Sequence, residues 1–235
     1  MVCGELFEYP VPAFPAFAPI SGVAVAGNRL FVGAGGYLAA YDATGATNCT
    51  KAVPRICHPL WALTAPDAPA TDGPPVVSGN TLFVRGLTNV VAFDVATGAR
   101  RWETSPTVSV ASNPAVANGV LFVGGSDGRL YAFDANGVTG CSATPKTCAP
   151  LWRSGTGAAP SSPSVANGVV YTGAADGSVR AFDAAGTVGC SGTPKTCTPL
   201  FSSVLGSGAG APLVANGRLY VPEANGNIAA FATSN

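Results

Sequence analysis

Charge is scarce in this chain. Its 235 residues hold 12 Lys and Arg against 12 Asp and Glu, 10% in all, with a formal net charge of zero. An ordinary globular protein carries about 25%. A neutral, charge-poor chain has no bulk field to draw it to nucleic acid or to an anionic membrane surface. Long apolar runs are missing as well. The 47% of hydrophobic residues come in short bursts broken by Gly, Asn, Asp and Pro, well below the roughly 18–20 consecutive residues a membrane-spanning helix needs. No segment has helical length and period, and the opening residues do not read as a basic-then-apolar leader. A single histidine, His58, leaves little room for histidine-based chemistry.

What the chain has is repetition. Residues 118–134 read NGVLFVGGSDGRLYAFD and residues 167–183 read NGVVYTGAADGSVRAFD, a shift of 49. Further copies begin at Asn28, Asn80 and Asn216. A period of this size signals one supersecondary unit per copy, stacked radially or linearly. Within a copy the bulky β-formers run in short stretches, as in Leu121-Phe122-Val123 and Leu130-Tyr131-Ala132-Phe133. These read as strands covered on both faces. Asn118-Gly119 and Asp127-Gly128 predict tight hairpin turns with positive φ at both centres. A fourth strand follows, marked by Trp61, Trp102, Trp152 or Phe201. Four antiparallel strands per copy predict an all-β fold, a β-propeller. The repeats fall near 22–64, 75–104, 113–154, 162–203 and 211–232.

The last copy stops after its third strand, and the opening segment supplies a match for the fourth. Cys3-Gly-Glu-Leu6-Phe7 aligns with Cys148-Ala-Pro-Leu151-Trp152 and its counterparts. The expectation is a single domain over 1–235, of five blades, closed by an N-terminal strand within residues 4–9. Such closure removes sheet edges that would otherwise invite aggregation. The cysteine that would pair with Cys3 falls outside the sequence, so Cys3 is expected to be unpaired.

Six of the seven cysteines form local pairs, Cys49/Cys57, Cys141/Cys148 and Cys190/Cys197, around short polar loops such as CSATPKTC and CSGTPKTC. These predict disulfide-closed hairpin insertions, which persist in oxidising compartments. Zinc would need four convergent ligands, and each loop offers two sulfurs. The copy at 80–104 lacks the insertion, so the bridges are expected to stiffen loops rather than hold up the fold. The setting read from the cysteines is secreted or cell-envelope.

The segment Ala92-Phe-Asp94-Val-Ala-Thr97-Gly98-Ala-Arg-Arg-Trp102 follows the pattern A-x-D-x-x-T-G-x-x-x-W. Its start recurs at Ala40/Asp42/Gly45, Ala132/Asp134/Gly137 and Ala181/Asp183/Gly186. In this the chain resembles the PQQ-binding-like β-propeller repeat family of bacteria, over essentially its whole length. The family spans quinone-dependent dehydrogenases, outer-membrane assembly lipoproteins and sensor domains. The resemblance therefore implies a blade and its tryptophan-docking motif rather than a chemistry. Dehydrogenases of this type hold the quinone near a vicinal disulfide and a calcium or lanthanide ligated by Glu, Asn and Asp. No vicinal Cys-Cys occurs here, and the four glutamates, Glu5, Glu8, Glu103 and Glu223, do not cluster.

The expected function is thus a non-catalytic extracytoplasmic binding or scaffold module. No catalytic, metal or cofactor residues are assigned; PQQ with calcium enters only under the alternative, a quinone-dependent oxidoreductase or a fragment of one. The glycine clusters at 155–157 and 206–210 lead into strands, not helix N-termini, and so do not read as phosphate loops. His58 reads as a solvated loop residue. Asn48-Cys49-Thr50 formally fits a glycosylation sequon. One pattern remains for recognition: cations on the loops between third and fourth strands, Lys51, Arg55, Lys146 and Lys195, joined on the same face by Arg29, Arg100, Arg101 and Arg218. Asp67, Asp72, Asp127, Asp176 and Glu223 gather on the opposite one. The expected partner of a monomeric chain is a protein or peptide, or a glycan, with no nucleic acid and no membrane insertion.

Overall fold

The computed structural model describes residues 7–10, 20–52 and 54–233. Every regular element among them is a β-strand. The chain divides into two compact units, Met1–Leu87 with Val91–Arg101, and Thr88–Val90 with Trp102–Asn235.

In the first unit the strands are β1 (Phe7–Glu8), β2 (Ile20–Ala26), β3 (Arg29–Ala34), β4 (Tyr37–Asp42), β5 (Arg55–Ile56), β6 (Trp61–Thr64), β7 (Val76–Ser78), β8 (Thr81–Arg85) and most of β9 (Val90–Asp94). One sheet has the order β2-β3-β4-β6, antiparallel throughout, with Arg29 opposite Asp42 and Ala40 opposite Trp61. Its core joins Phe31, Leu38 and Ala40 to Leu82, Val84, Val91 and Phe93 of the next repeat. Strand β4 is buried along its whole length, as its unbroken apolar run requires of a strand covered on both faces.

Strand β10 (Arg100–Thr104) leads into the second unit. There follow β11 (Ala115–Ala117), β12 (Val120–Gly124), β13 (Leu130–Asp134), β14 (Cys141–Ser142), β15 (Thr147–Cys148) and β16 (Trp152–Ser154). The next repeat gives β17 (Ser164–Ala166), β18 (Val169–Gly173), β19 (Ser178–Asp183), β20 (Cys190–Ser191), β21 (Thr196–Cys197) and β22 (Phe201–Val204). The last gives β23 (Leu213–Ala215), β24 (Arg218–Pro222) and β25 (Ile228–Ala232). Sheets β11-β12-β13-β16 and β17-β18-β19-β22 repeat the pattern of the first, and β23-β24-β25 has three strands among the described residues. Phe122, Leu130, Ala132 and Trp152 of one repeat pack on Val170 and Phe182 of the next.

The Asn-Gly turns form as their residues dictate. Asn118 and Gly119 have φ of 51° and 77°, and the pairs at 167–168 and 216–217 match them. Both centres are left-handed, which suits the twist of the flanking strands. The second turn departs from expectation. At Asp127-Gly128 only Gly128 has positive φ, and the loop closes through Gly125 N–H to the carbonyl of Arg129 at 2.8 Å. Asp127 does not take positive φ, and its carboxylate accepts from Arg129 N–H at 3.2 Å and from the Tyr131 hydroxyl.

All three local disulfides form, Cys49–Cys57, Cys141–Cys148 and Cys190–Cys197. Cys3 lies outside the described residues. The hairpins they close do more than decorate a loop. Strand β15 pairs in parallel with β10, the outer strand of the preceding repeat, placing Thr147 beside Glu103. Strand β21 does the same to β16, and β5 pairs in parallel with the short strand β1. Each hairpin therefore covers its neighbour's outer edge, where unpaired N–H and C=O groups would otherwise face water.

Candidate functional site

The residues that recur from copy to copy meet at the turn after each third strand. Asp42 accepts backbone N–H groups from Thr44 at 2.9 Å, Ala46 at 3.1 Å and Thr47 at 2.6 Å, plus the Thr44 hydroxyl at 2.6 Å. Asp134 holds Asn136, Val138 and Thr139 in the same way, at 2.9, 3.1 and 2.7 Å. Asp183 holds Ala185, Thr187 and Val188, at 3.2, 2.7 and 2.8 Å. A carboxylate with several N–H donors is stabilised in its charged form. The Thr44 hydroxyl and N–H thus hold Asp42 well below the usual carboxylate range. At Asp183 burial pushes upward, but Thr187, Val188 and Ala185 outweigh it and leave the group at about 2.

In the plain copy Asp94 accepts from Ala96 N–H and from Thr97 through both its N–H and hydroxyl, at 2.9–3.0 Å. Arg101 adds a charged contact at 2.6 Å. Arg101, then Thr97, bring Asp94 down to about 2.

Each turn ends in a left-handed glycine against which an aromatic ring packs. Gly98 has φ +73° and carries Trp61; Gly137, at +68°, carries Trp102; Gly186, at +65°, carries Trp152. A Cβ at any of these glycines would overlap the indole, so both the backbone angle and the close approach demand glycine. The indole N–H of each tryptophan also finds a carbonyl in the next repeat: Val95 at 3.1 Å, Ala135 at 3.3 Å and Ala184 at 3.2 Å. Phe7 joins the series, its ring set against Gly45. That is the place its alignment with Trp152 predicts. Phe201 differs: it is 42% exposed and meets the Phe231 ring edge-on at 5.6 Å.

The four cations of the expected recognition set are divided by the structure. Lys146 donates through Nζ to the carbonyl of Gly137 at 3.2 Å, Lys195 to Gly186 at 2.9 Å, and Arg55 to Gly45 at 3.0 Å. Each thus ties its hairpin to the docking turn. Lys51 sits exposed on its loop. The sequence carried a signal for this arrangement, since the cation follows its glycine by 9, 9 and 10 residues. Three of the five acidic residues expected opposite are matched locally: Asp72 with Arg85 at 3.1 Å, Asp127 with Arg129 at 3.4 Å, and Asp176 with Arg180 at 4.0 Å. His58 is exposed, and its N–H closes the hairpin onto the carbonyl of Asn48 at 2.8 Å.

Among the described residues no group of three or more His, Cys, Asp or Glu is placed to hold a metal. A recess of about 340 Å³ beside Tyr171, Leu200, Phe201 and Phe231 has no carboxylate in its lining.

Comparison with known proteins places these repeats. Residues 58–142 match the family model described as outer membrane protein assembly factor BamB. The BamB structure from Moraxella catarrhalis superposes with a TM-score of 0.63 at 20% identity, over 94% of this chain and 60% of that one. The computationally designed Ika8 protein gives 0.65 at 14% identity, over 91% and 58%. The designed Ika4 protein gives 0.54 at 15%, over 68% and 89%. The chain therefore spans about 60% of the length of BamB. No curated protein matches the sequence. Over residues 58–142, then, the chain is similar to the outer membrane protein assembly factor BamB family, and its all-β fold of antiparallel sheets resembles that of the BamB propeller.

Proposed function

We propose that this chain is a non-catalytic binding or scaffold module of the PQQ-like propeller type, acting in a secreted or cell-envelope setting on a protein or peptide partner. One observation carries the reading. The polar residues that recur among the copies are taken up in building the turns: the aspartates hold backbone N–H groups, the tryptophan indoles donate to carbonyls of the next repeat, and the cations of the three hairpins cap glycine carbonyls. A repeat whose chemistry-bearing groups are engaged this way suits a rigid surface rather than an acid–base or redox centre. Three disulfides fit an oxidising compartment. The proposal includes no cofactor. Titration with PQQ and calcium, followed by a dye-linked alcohol oxidation assay, is expected to show neither stoichiometric binding nor turnover. Stoichiometric binding with turnover would replace this reading with a quinone-dependent oxidoreductase.

The proposal extends to architecture: one domain of five blades, with the segment 4–9 as fourth strand of the last. Phe7 docked on Gly45 supports it, as does the apolar surface left on β25. There Ile228 is 69% exposed, where its counterpart Leu130 is fully buried. Deleting residues 1–10 should then speed amide exchange along Ile228–Ala232. Unchanged exchange in that strand would sink the closure.

A further inference from the structure

Three strands, β1, β10 and β16, are each paired along one edge by one three-residue phrase of the following hairpin, and β10 and β16 are the outer strands of their repeats. The phrases are Arg55-Ile56-Cys57, Lys146-Thr147-Cys148 and Lys195-Thr196-Cys197. Their bonds follow one scheme. The carbonyl of the first residue accepts from the outer strand, as Lys146 does from Glu103 and Lys195 from Arg153, both at 3.0 Å. The carbonyl of the third accepts the next free N–H, as Cys148 does from Ser105 at 2.9 Å. The third residue's own N–H returns to the outer strand, as Cys57 does to Glu8 at 2.8 Å. The cation of the first residue caps the docking glycine.

Among the described residues strand β6 lacks this cover, for a reason internal to the sequence. The repeat that follows it is the plain copy, whose turn from Asp94 to Ala99 closes without a hairpin. Yet the rest of the site is built, with Trp61 lying on Gly98. Strand β6 ends its sheet. Ala62 and Thr64, the counterparts of Glu103 and Ser105, are exposed, where Glu103 and Ser105 are half-buried. Among the described residues no lysine or arginine donates to the carbonyl of Gly98. An uncovered edge of this kind is a template for an added strand.

We infer that the outer edge of β6 is a docking slot for an extended segment of a partner protein. The segment adds as a parallel strand and carries a lysine or arginine one position before the residue that faces Ala62. Its first and third carbonyls accept from Ala62 and Thr64, and its cation caps Gly98. This names the partner chemistry of the scaffold reading and rests on it. The occupant follows from continuity with the same interface made three times within the chain.

The probe is the chain's own hairpin as a disulfide-closed peptide, residues 140–149, titrated into the intact protein and followed by backbone amide shifts. Saturable shifts at Ala62 and Thr64 are expected, with a Kd on the order of a millimolar, as a few net hydrogen bonds sustain. The same peptide with its lysine changed to alanine should bind roughly fivefold more weakly, for loss of one charge-assisted bond. Ala62→Pro, which removes a donor, should abolish the shifts while amide signals of the second unit stay in place. Absence of saturable shifts overturns the slot, as do shifts confined to Ser202–Val204. Equal affinity of the lysine and alanine peptides overturns the proposed chemistry. None of these failures would bear on the scaffold reading, which falls only to quinone-dependent turnover.

Discussion

Replacing Trp152 with alanine is expected to cost about 3–5 kcal/mol and to lower the melting temperature by roughly 10 °C. The side chain is 2% exposed, and its loss uncovers three things together. Gly186 loses the ring that lies on it. Ala184 loses the indole donor to its carbonyl. Phe122 and Phe182, whose rings lie 6.0 and 6.1 Å away, face a cavity that well-packed strands cannot collapse to fill. Phe201→Ala changes the equivalent residue of the next repeat, yet should cost only about 1 kcal/mol, because that ring is already 42% exposed. Thermal melts of both variants check the pair. Equal losses would show that aromatic docking is not what holds successive repeats together.

Reducing all three disulfides should produce a second large effect. Closing a loop of about eight residues removes on the order of 2.5 kcal/mol of unfolded-state entropy. Three independent bridges would then approach the whole stability of a typical domain, about 5–15 kcal/mol. The loss should have a local signature, because the hairpins pair with neighbouring strands. Amides of Glu103 and Arg153, bonded at 3.0 Å to the carbonyls of Lys146 and Lys195, should exchange faster after reduction, while Leu121 and Val123 in the sheet interior change less. A reduced protein that melts within a few degrees of the oxidised one would show that strand pairing and the lysine caps suffice to hold the hairpins.

Much of this was legible in the residues because it is local. The Asn-Gly turns follow from φ preferences at two adjacent positions, and Asn118, Asn167 and Asn216 all adopt them. The disulfide partners lie 7 or 8 residues apart, so each bridge closes within one loop. Asp94, Thr97, Gly98 and Trp102 announce the docking turn by spacing, and the structure builds that turn as their chemistry demands. Asp127-Gly128 was misleading because a dipeptide does not reveal what its side chain will bind. Tyr131, four residues on, claims the carboxylate, and the turn widens.

By itself, then, the sequence determined the all-β character, the repeat and its strands, the docking residues and the three local bridges. Each depends on contacts within one copy or on a period that contacts between copies must share. Only the tertiary structure decided which groups remain for recognition. Lys146 and Lys195 look like free surface cations until their neighbours are in place, and then each is bound to a glycine carbonyl nine residues back. Likewise the hairpins look like insertions until the preceding repeat presents its edge. Among the described residues the edge of β6 is uncovered because the following copy omits the hairpin that pairs with β1, β10 and β16 elsewhere. Hydrogen-bond partners between strands of different repeats are set by how sheets stack, and spacing along the chain does not encode which edges stacking leaves bare.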